Sequence, residues 1–271
     1  MIIKHEDKFI SGYNSITEMN GKHKEMLLDF GILVMGKGDV YNCDLPLERA
    51  FLLIFGEVTF SVEGINYLAK RKSFLDEVPQ VLHVDKTKSV TIKAHERTQI
   101  CVERCENDTE FPPKIYDEKN VRSDVFGAGV LNEASNRTVR TVFDGEIAPY
   151  SNMVIGEVIN HPGKWSSYPP HDHPHPEIYH YRMFPSQGFG VSLLDEDAHI
   201  VKNCDSSLIA PNTTHSQVAA AGYAMYYIWM IPHLPNDKWL PTTRYYREQH
   251  TWMLDKNVKI WPERKYETEV Q

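Results

Sequence analysis

The run GEVTFSVEG at residues 56–64 alternates polar and apolar side chains without a break. Val58, Phe60 and Val62 fall on one side, Glu57, Thr59, Ser61 and Glu63 on the other. A period of two puts apolar residues on one face only in an extended strand. The signature recurs at residues 89–94 and 99–102. In the second half, strand-like runs follow at 152–159, 177–183, 188–194, 207–210 and 224–231. Short turn clusters separate them, among them His161-Pro162-Gly163, Asp195-Glu196-Asp197 and Pro211-Asn212. No helical period is sustained. Residues 14–26 are the best helix candidate and 238–250 a second, short one. Many short strands at close spacing predict an all-β sandwich or barrel.

At 271 residues the chain has room for two such units. Residues 107–120 are polar with a Pro-Pro pair, and 127–136 are small and polar, so a connector between two β domains of similar length is expected here. The net charge is -8 and neither half is basic, which argues against a general nucleic-acid or anionic-membrane partner. The most apolar stretch, 218–232, is too short to span a bilayer and carries three tyrosines. MIIKHEDKF at the start lacks the apolar core of a signal peptide. Cys43, Cys101, Cys105 and Cys204 include no CxxC and are expected as reduced thiols, pointing to a cytoplasmic protein.

Thirteen histidines are present, and seven fall between His161 and His215. His171 and His173 are two apart, so on a strand both imidazoles project from one face. Glu177 opens a new alternating stretch after the prolines. His215 follows a Pro211 turn just before an apolar strand. Three imidazoles and one carboxylate form a set of borderline ligands suited to Zn, Mn, Fe or Ni. His175, between Pro174 and Pro176, is a rival ligand on spacing alone.

Gly163-x(7)-His171-x-His173-x(3)-Glu177, followed by Pro211-x(3)-His215, resembles the two metal motifs of the cupins, with a longer first spacing and no Gly in the second motif. A closer resemblance runs through Arg137-Thr-Val-Arg-Thr-Val, the stretch Trp165-Ser-Ser-Tyr-Pro-Pro-His171, Glu177-Ile-Tyr-x-Tyr-Arg182, and the tyrosine-rich run from His215 to Tyr227. These resemble the 5-deoxy-glucuronate isomerases of myo-inositol breakdown, a bicupin family related to the 5-keto-4-deoxyuronate isomerases of the pectin pathway. Where that family has a longer acidic insert between the second His and the Glu, this chain has only Pro174-His175-Pro176.

The resemblance implies two jelly-roll barrels in tandem: residues 1–125 without a metal motif, and 126–271 with the metal ligands His171, His173, Glu177 and His215. It implies a divalent ion, zinc first, and the conversion of 5-deoxy-D-glucuronate to 5-dehydro-2-deoxy-D-gluconate. The substrate is a small sugar acid whose carboxylate calls for a cation. Arg182 ranks first because it matches the family position, with Lys164, Arg137, Arg140 and Arg244 as further candidates. Strict alternation sets Arg182 opposite Glu177, so whether it faces the pocket stays open. Tyr179 and Tyr181 share the parity of Glu177 and should point inward. Tyr227 is a further pocket candidate, and Gln187 and Gln217 are candidate supporting contacts. Trp165, Tyr168, Trp229 and Trp239 are expected as structural or rim residues. No nucleotide-binding fingerprint is present. Exposed sheet edges make a homodimer an expectation. The competing readings are the pectin-pathway isomerase, a non-catalytic sugar-acid-binding cupin and an iron-dependent dioxygenase.

Overall fold

A computed structural model describes residues 1–5 and 9–264. Nine antiparallel strands between Gly12 and Tyr116 build the first half. The long strand Glu48–Val62 belongs to two faces of it. Its first part pairs with Gln80–Val84 and Thr98–Cys105, and after a shift at Leu53/Phe55 it pairs with Ile65–Arg71 and Val90–Ala94. Gly56 stands at this bend with φ +117, and a Cβ there would lie 2.2 Å from the Thr98 hydroxyl oxygen. Only glycine tolerates both conditions.

The second half is a seven-stranded and a five-stranded sheet. Their facing sides enclose an apolar core that includes Tyr181, Met183, Val201 and Ile231. A separate core fills the first barrel, around Phe51, Phe60 and Val102. A third cluster joins the halves: Phe30, Leu52 and Cys101 of the first pack with Phe143, Ile155 and Ile228 of the second. Each half thus presents a sheet buried on both sides. This explains why Thr98–Cys105, Met153–Asn160 and most of Glu177–Phe184 are buried at odd and even positions alike.

Several expectations need correction. Residues 14–26 are not a helix: Gly12–Thr17 is a strand paired with Asp29–Met35, and only Lys24–Met26 makes a 3-10 turn. The Asn14 amide hydrogen-bonds the carbonyls of Ile10, Gly12 and Ile32, a polar competition that disfavours helix. Residues 238–250 hold the short strand Tyr245–Tyr246 and the start of a 3-10 helix, Glu248–Leu254. Pro241 supplies no N–H to continue a helix there. The supposed connector is partly sheet, since Lys114–Tyr116 pairs with Gln80–Val84 and Arg122–Phe126 with Arg137–Phe143. The sheets also divide differently from a cut at 125/126. Ile2–Ile3 pairs with Ser206–Ile209, so the N-terminal strand and Arg122–Phe126 both belong to the second half's sheet.

Between the halves lies Glu103, fully buried, with neither carboxyl oxygen hydrogen-bonded. Burial, helped by the negative charge of Glu48, pushes its carboxyl well above the usual range. The folded state therefore holds a proton that the unfolded chain releases near the ordinary value of about 4.3. Its contribution to stability is complete below that value and is lost as pH rises toward the raised one. Glu103→Gln should gain in melting temperature relative to the parent as pH goes from about 5 to about 8. A difference between the two proteins that stays constant across that range overturns this assignment.

Candidate metal centre and pocket

Odd-numbered residues of Glu177–Phe184 face the interior of the second barrel, and Glu177 lies at the strand's start on that side. His171 is the last residue but one of the strand Trp165–Asp172, opposite His215 on His215–Ala219. The polypeptide then carries His173 round to the same place. One nitrogen of His173, one of His215 and one oxygen of Glu177 lie within 4.8 Å of one another, all buried. Nε2 of His173 is 3.3 Å and Nε2 of His215 3.2 Å from Glu177 Oε2. His171 flanks this trio, its ring centroid 4.8 Å from that of His215.

The tautomers follow from the backbone. Nδ1 of His171 donates to the Pro169 carbonyl, that of His173 to His175, and that of His215 to Thr213, at 2.9–3.0 Å. A carbonyl only accepts, so each Nδ1 carries a proton, and a ring without a second proton keeps a lone pair on Nε2. Two such lone pairs aimed at one carboxylate oxygen repel unless a cation lies among them. His215 Nε2 is indeed buried without a hydrogen-bond partner. Separations of 3.2–3.3 Å approach the roughly 3.4 Å between donors that each sit about 2.1 Å from a tetrahedral ion. The donor set therefore fits a divalent metal. Backbone carbonyls orienting the far nitrogens are the supporting contacts such ligands need.

Protonation agrees. Burial, then the charges of His215 and Arg244, holds His171 well below its usual value, so it is neutral. Burial alone would raise Glu177. When Nε2 of His173 and His215 is protonated as well, hydrogen bonds and charges from the two rings outweigh it and hold the carboxyl far below the usual range. Tyr179 also donates to Glu177 Oε2, at 3.0 Å.

The stretch Trp165-Ser-Ser-Tyr-Pro-Pro-His171 now has a physical explanation. Pairing with the strand His215–Ala219 is interrupted between Ser166 and His171, and Ser167 adopts a positive φ of 49. The irregularity brings Ser166 Oγ to 2.7 Å from the Tyr227 hydroxyl and Ser167 Oγ to 2.9 Å from that of Tyr179. Burial pushes Tyr227 up to about 12, so its O–H stays intact near neutrality.

These residues line a cavity of about 150 Å³. Tyr179 and Tyr227 face it, as do Tyr168, Trp229 and Trp239, three of the residues expected as structural or rim. Trp165 packs beside Tyr168, with ring centroids 5.3 Å apart. Arg182 does not reach the pocket. Even positions of its strand face the other half, where Arg182 donates to Gln99 and His180. Arg140 has the same fate, bonded to carbonyls of Phe74, Leu75 and Glu77. Lys164 lies at a hairpin turn outside the lining. Gln187 is exposed, and Gln217 accepts from Tyr181 behind the pocket. The rival His175 points its Nε2 at the Asp237 carbonyl, 2.8 Å away, and does not line the cavity.

The guanidinium groups at the cavity belong instead to Arg122, Arg137 and Arg244. Arg122 was hidden in the presumed connector. The alternation of Arg122, Asp124 and Phe126, all three lining the pocket, was the available signal. Arg122 is matched by acids, 3.3 Å from Asp124 and 3.4 Å from Asp144.

A profile of the KduI/IolB family matches residues 1–253. The 5-deoxy-glucuronate isomerase of Geobacillus kaustophilus is 24% identical over 239 residues, covering 78% of this chain and 84% of that protein. The enzyme of the same name from Lacticaseibacillus casei is 22% identical over 267 residues, covering 88% and 96%. Among solved structures, an IolB-like protein from Salmonella typhimurium LT2 superposes with a TM-score of 0.83 at 19% identity, over 93% of this chain and 98% of that one. Bacillus subtilis oxalate decarboxylase gives 0.66 at 10% identity, over 93% and 81%. The fold is an all-β bicupin. Among the described residues, no helix is long and apolar enough to cross a membrane.

Proposed function

The chain belongs to the KduI/IolB family and is an isomerase, and from that premise we propose that it converts 5-deoxy-D-glucuronate to 5-dehydro-2-deoxy-D-gluconate in myo-inositol breakdown. The reaction moves a carbonyl from the terminal carbon to its neighbour and leaves the distant carboxylate unchanged. The observation that carries this reading is the convergence of two imidazole Nε2 atoms on Glu177, which lines a cavity that arginines also line. His171, His173, Glu177 and His215 would hold a divalent ion, zinc first. When bound, that ion supplies Lewis-acid polarisation of the carbonyl and adjacent hydroxyl oxygens.

The remaining work falls to the protein's own groups. Tyr179 fixes the Glu177 carboxylate through its hydroxyl, and Ser167 fixes Tyr179 in turn. Tyr227, held protonated, offers an O–H to a substrate oxygen where negative charge develops. Trp229, Trp239, Val139 and Val158 give the cavity apolar walls, which keep water from competing for these contacts. A cytoplasmic setting fits the four free cysteines.

The test is an anaerobic assay of metal-loaded, full-length protein, with proton NMR following loss of the aldehyde hydrogen. Formation of the keto acid is expected. Absence of turnover of 5-deoxy-D-glucuronate, with turnover of a 4-deoxy-5-keto-uronate instead, moves the protein to the pectin-type reaction. Turnover of neither sinks the isomerase assignment.

A further inference from the structure

Arg137 and Arg244 combine two features that Arg71, Arg122, Arg140 and Arg182 do not: they line the cavity, and no carboxylate pairs with them among the described residues. Arg137 lies on Arg137–Phe143, donates to the Ser135 carbonyl at 2.8 Å and rests against the Phe126 ring, yet no carboxylate pairs with it among the described residues. Arg244 packs over Trp239, 5.6 Å from the ring centroid, and shows no hydrogen bond or ion pair there either. Arg71, Arg140 and Arg122, by contrast, each meet an acid. Both unpaired groups line the cavity that contains Glu177, and both are half-buried. Burial, and after it the charge of Arg244, lowers the Arg137 guanidinium from its usual value. Two like charges drawn out of water into one cavity call for an anion.

Resting on the isomerase reading, the geometry points to Arg137 and Arg244 as the paired receptor for the substrate carboxylate. The carboxylate end lies against these two side chains and the aldehyde end toward His173, Glu177 and His215. The substrate has the matching polarity, because its carboxylate is at the opposite end of the carbon chain from the reacting carbons. The two arginines also come from different parts of the fold. Arg137 is built into the sheet. Arg244 lies on a crossing segment tied at one end by Trp239 N–H to His233 Nδ1, 2.9 Å, and at the other by Tyr245–Tyr246 pairing with His171–Asp172. A bound carboxylate therefore links the sheet to this segment, and the fork geometry of guanidinium selects a planar anion over a hydroxymethyl group.

The experiment titrates D-glucuronate and its methyl ester against metal-loaded full-length protein, read by fluorescence of the pocket residues Trp229 and Trp239. The two probes differ in the charge at one end. The intact protein should prefer the acid by at least about thirtyfold, and Arg137→Met and Arg244→Met should each reduce that preference below about threefold. Metal content and melting temperature of both variants are measured alongside, and Arg137→Lys should restore part of the preference. Equal response to acid and ester in the intact protein, including no response to either, overturns the receptor. So does an Arg137→Met variant that folds, keeps its metal and retains the preference. An arginine-dependent preference without turnover of 5-deoxy-D-glucuronate leaves the receptor standing and removes only the assigned reaction.

Discussion

His173→Ala should strip the divalent ion from the protein and lower turnover of 5-deoxy-D-glucuronate by at least about 10³-fold, equivalent to about 4 kcal/mol of transition-state stabilisation. The expectation follows from the geometry around Glu177 Oε2. Removing the His173 ring deletes one of two Nε2 atoms within 3.3 Å of that oxygen and leaves a deep, buried gap. Water entering the gap is a poorer donor than imidazole for a borderline metal. Metal content by mass spectrometry and turnover should fall together. His175→Ala is the informative partner. His175 turns its Nε2 to the Asp237 carbonyl, so its loss should disturb the neighbouring loop while leaving the metal in place. Full metal content and near-parental turnover in His173→Ala, with loss of both in His175→Ala, exchanges the two histidines' roles.

Arg71→Met should cost about 3–5 kcal/mol of stability, through what it leaves behind. Arg71 is fully buried and grips Glu157 with both terminal nitrogens, at 2.7 and 2.9 Å, while also donating to the Leu53 and Glu77 carbonyls. Burial would lower its guanidinium, but the charge of Glu157 outweighs this and raises it. The pair crosses from the strand Ile65–Arg71 of the first half to Met153–Asn160 of the second. Without Arg71, Glu157 keeps only the Tyr226 hydroxyl and Arg140, whose nearest nitrogen is 3.4 Å away. A buried carboxylate with so little compensation is the expensive outcome, so the double variant Arg71→Met/Glu157→Met should recover most of the loss. Urea unfolding measures both. A single variant within about 1 kcal/mol of the parent shows that Arg140 and Tyr226 suffice.

The β character and the facing of side chains along each strand were legible in the sequence because both are local. Two-residue alternation placed Val58, Phe60 and Val62 in one core, and the same rule set Tyr179 and Tyr181 on the Glu177 side, where they lie. The bend at Gly56 and the irregular Ser166–His171 stretch were not legible, since each depends on a neighbouring strand. The helix expected over 14–26 failed for a related reason. Its apolar residues lie on a strand and a turn held by Asn14 and by pairing with Asp29–Met35, contacts that a window of sequence does not contain.

Arg182 shows most clearly where reading by alternation ends. The rule was right that it sits opposite Glu177. What the rule does not carry is the identity of that opposite side, which here is the second buried face of a sheet packed against the other half. The arginines at the cavity come from Arg122–Phe126, Arg137–Phe143 and the crossing segment near 244, brought together by strand pairing and sheet packing across more than a hundred residues. The sequence by itself determined the residue types, the strand period and the face each side chain takes, because backbone geometry encodes these within a few residues. Only the tertiary structure decided which faces meet: the trio on Glu177, the rejection of His175 and Arg182, and the pair Arg137 and Arg244 all depend on register and packing between distant strands.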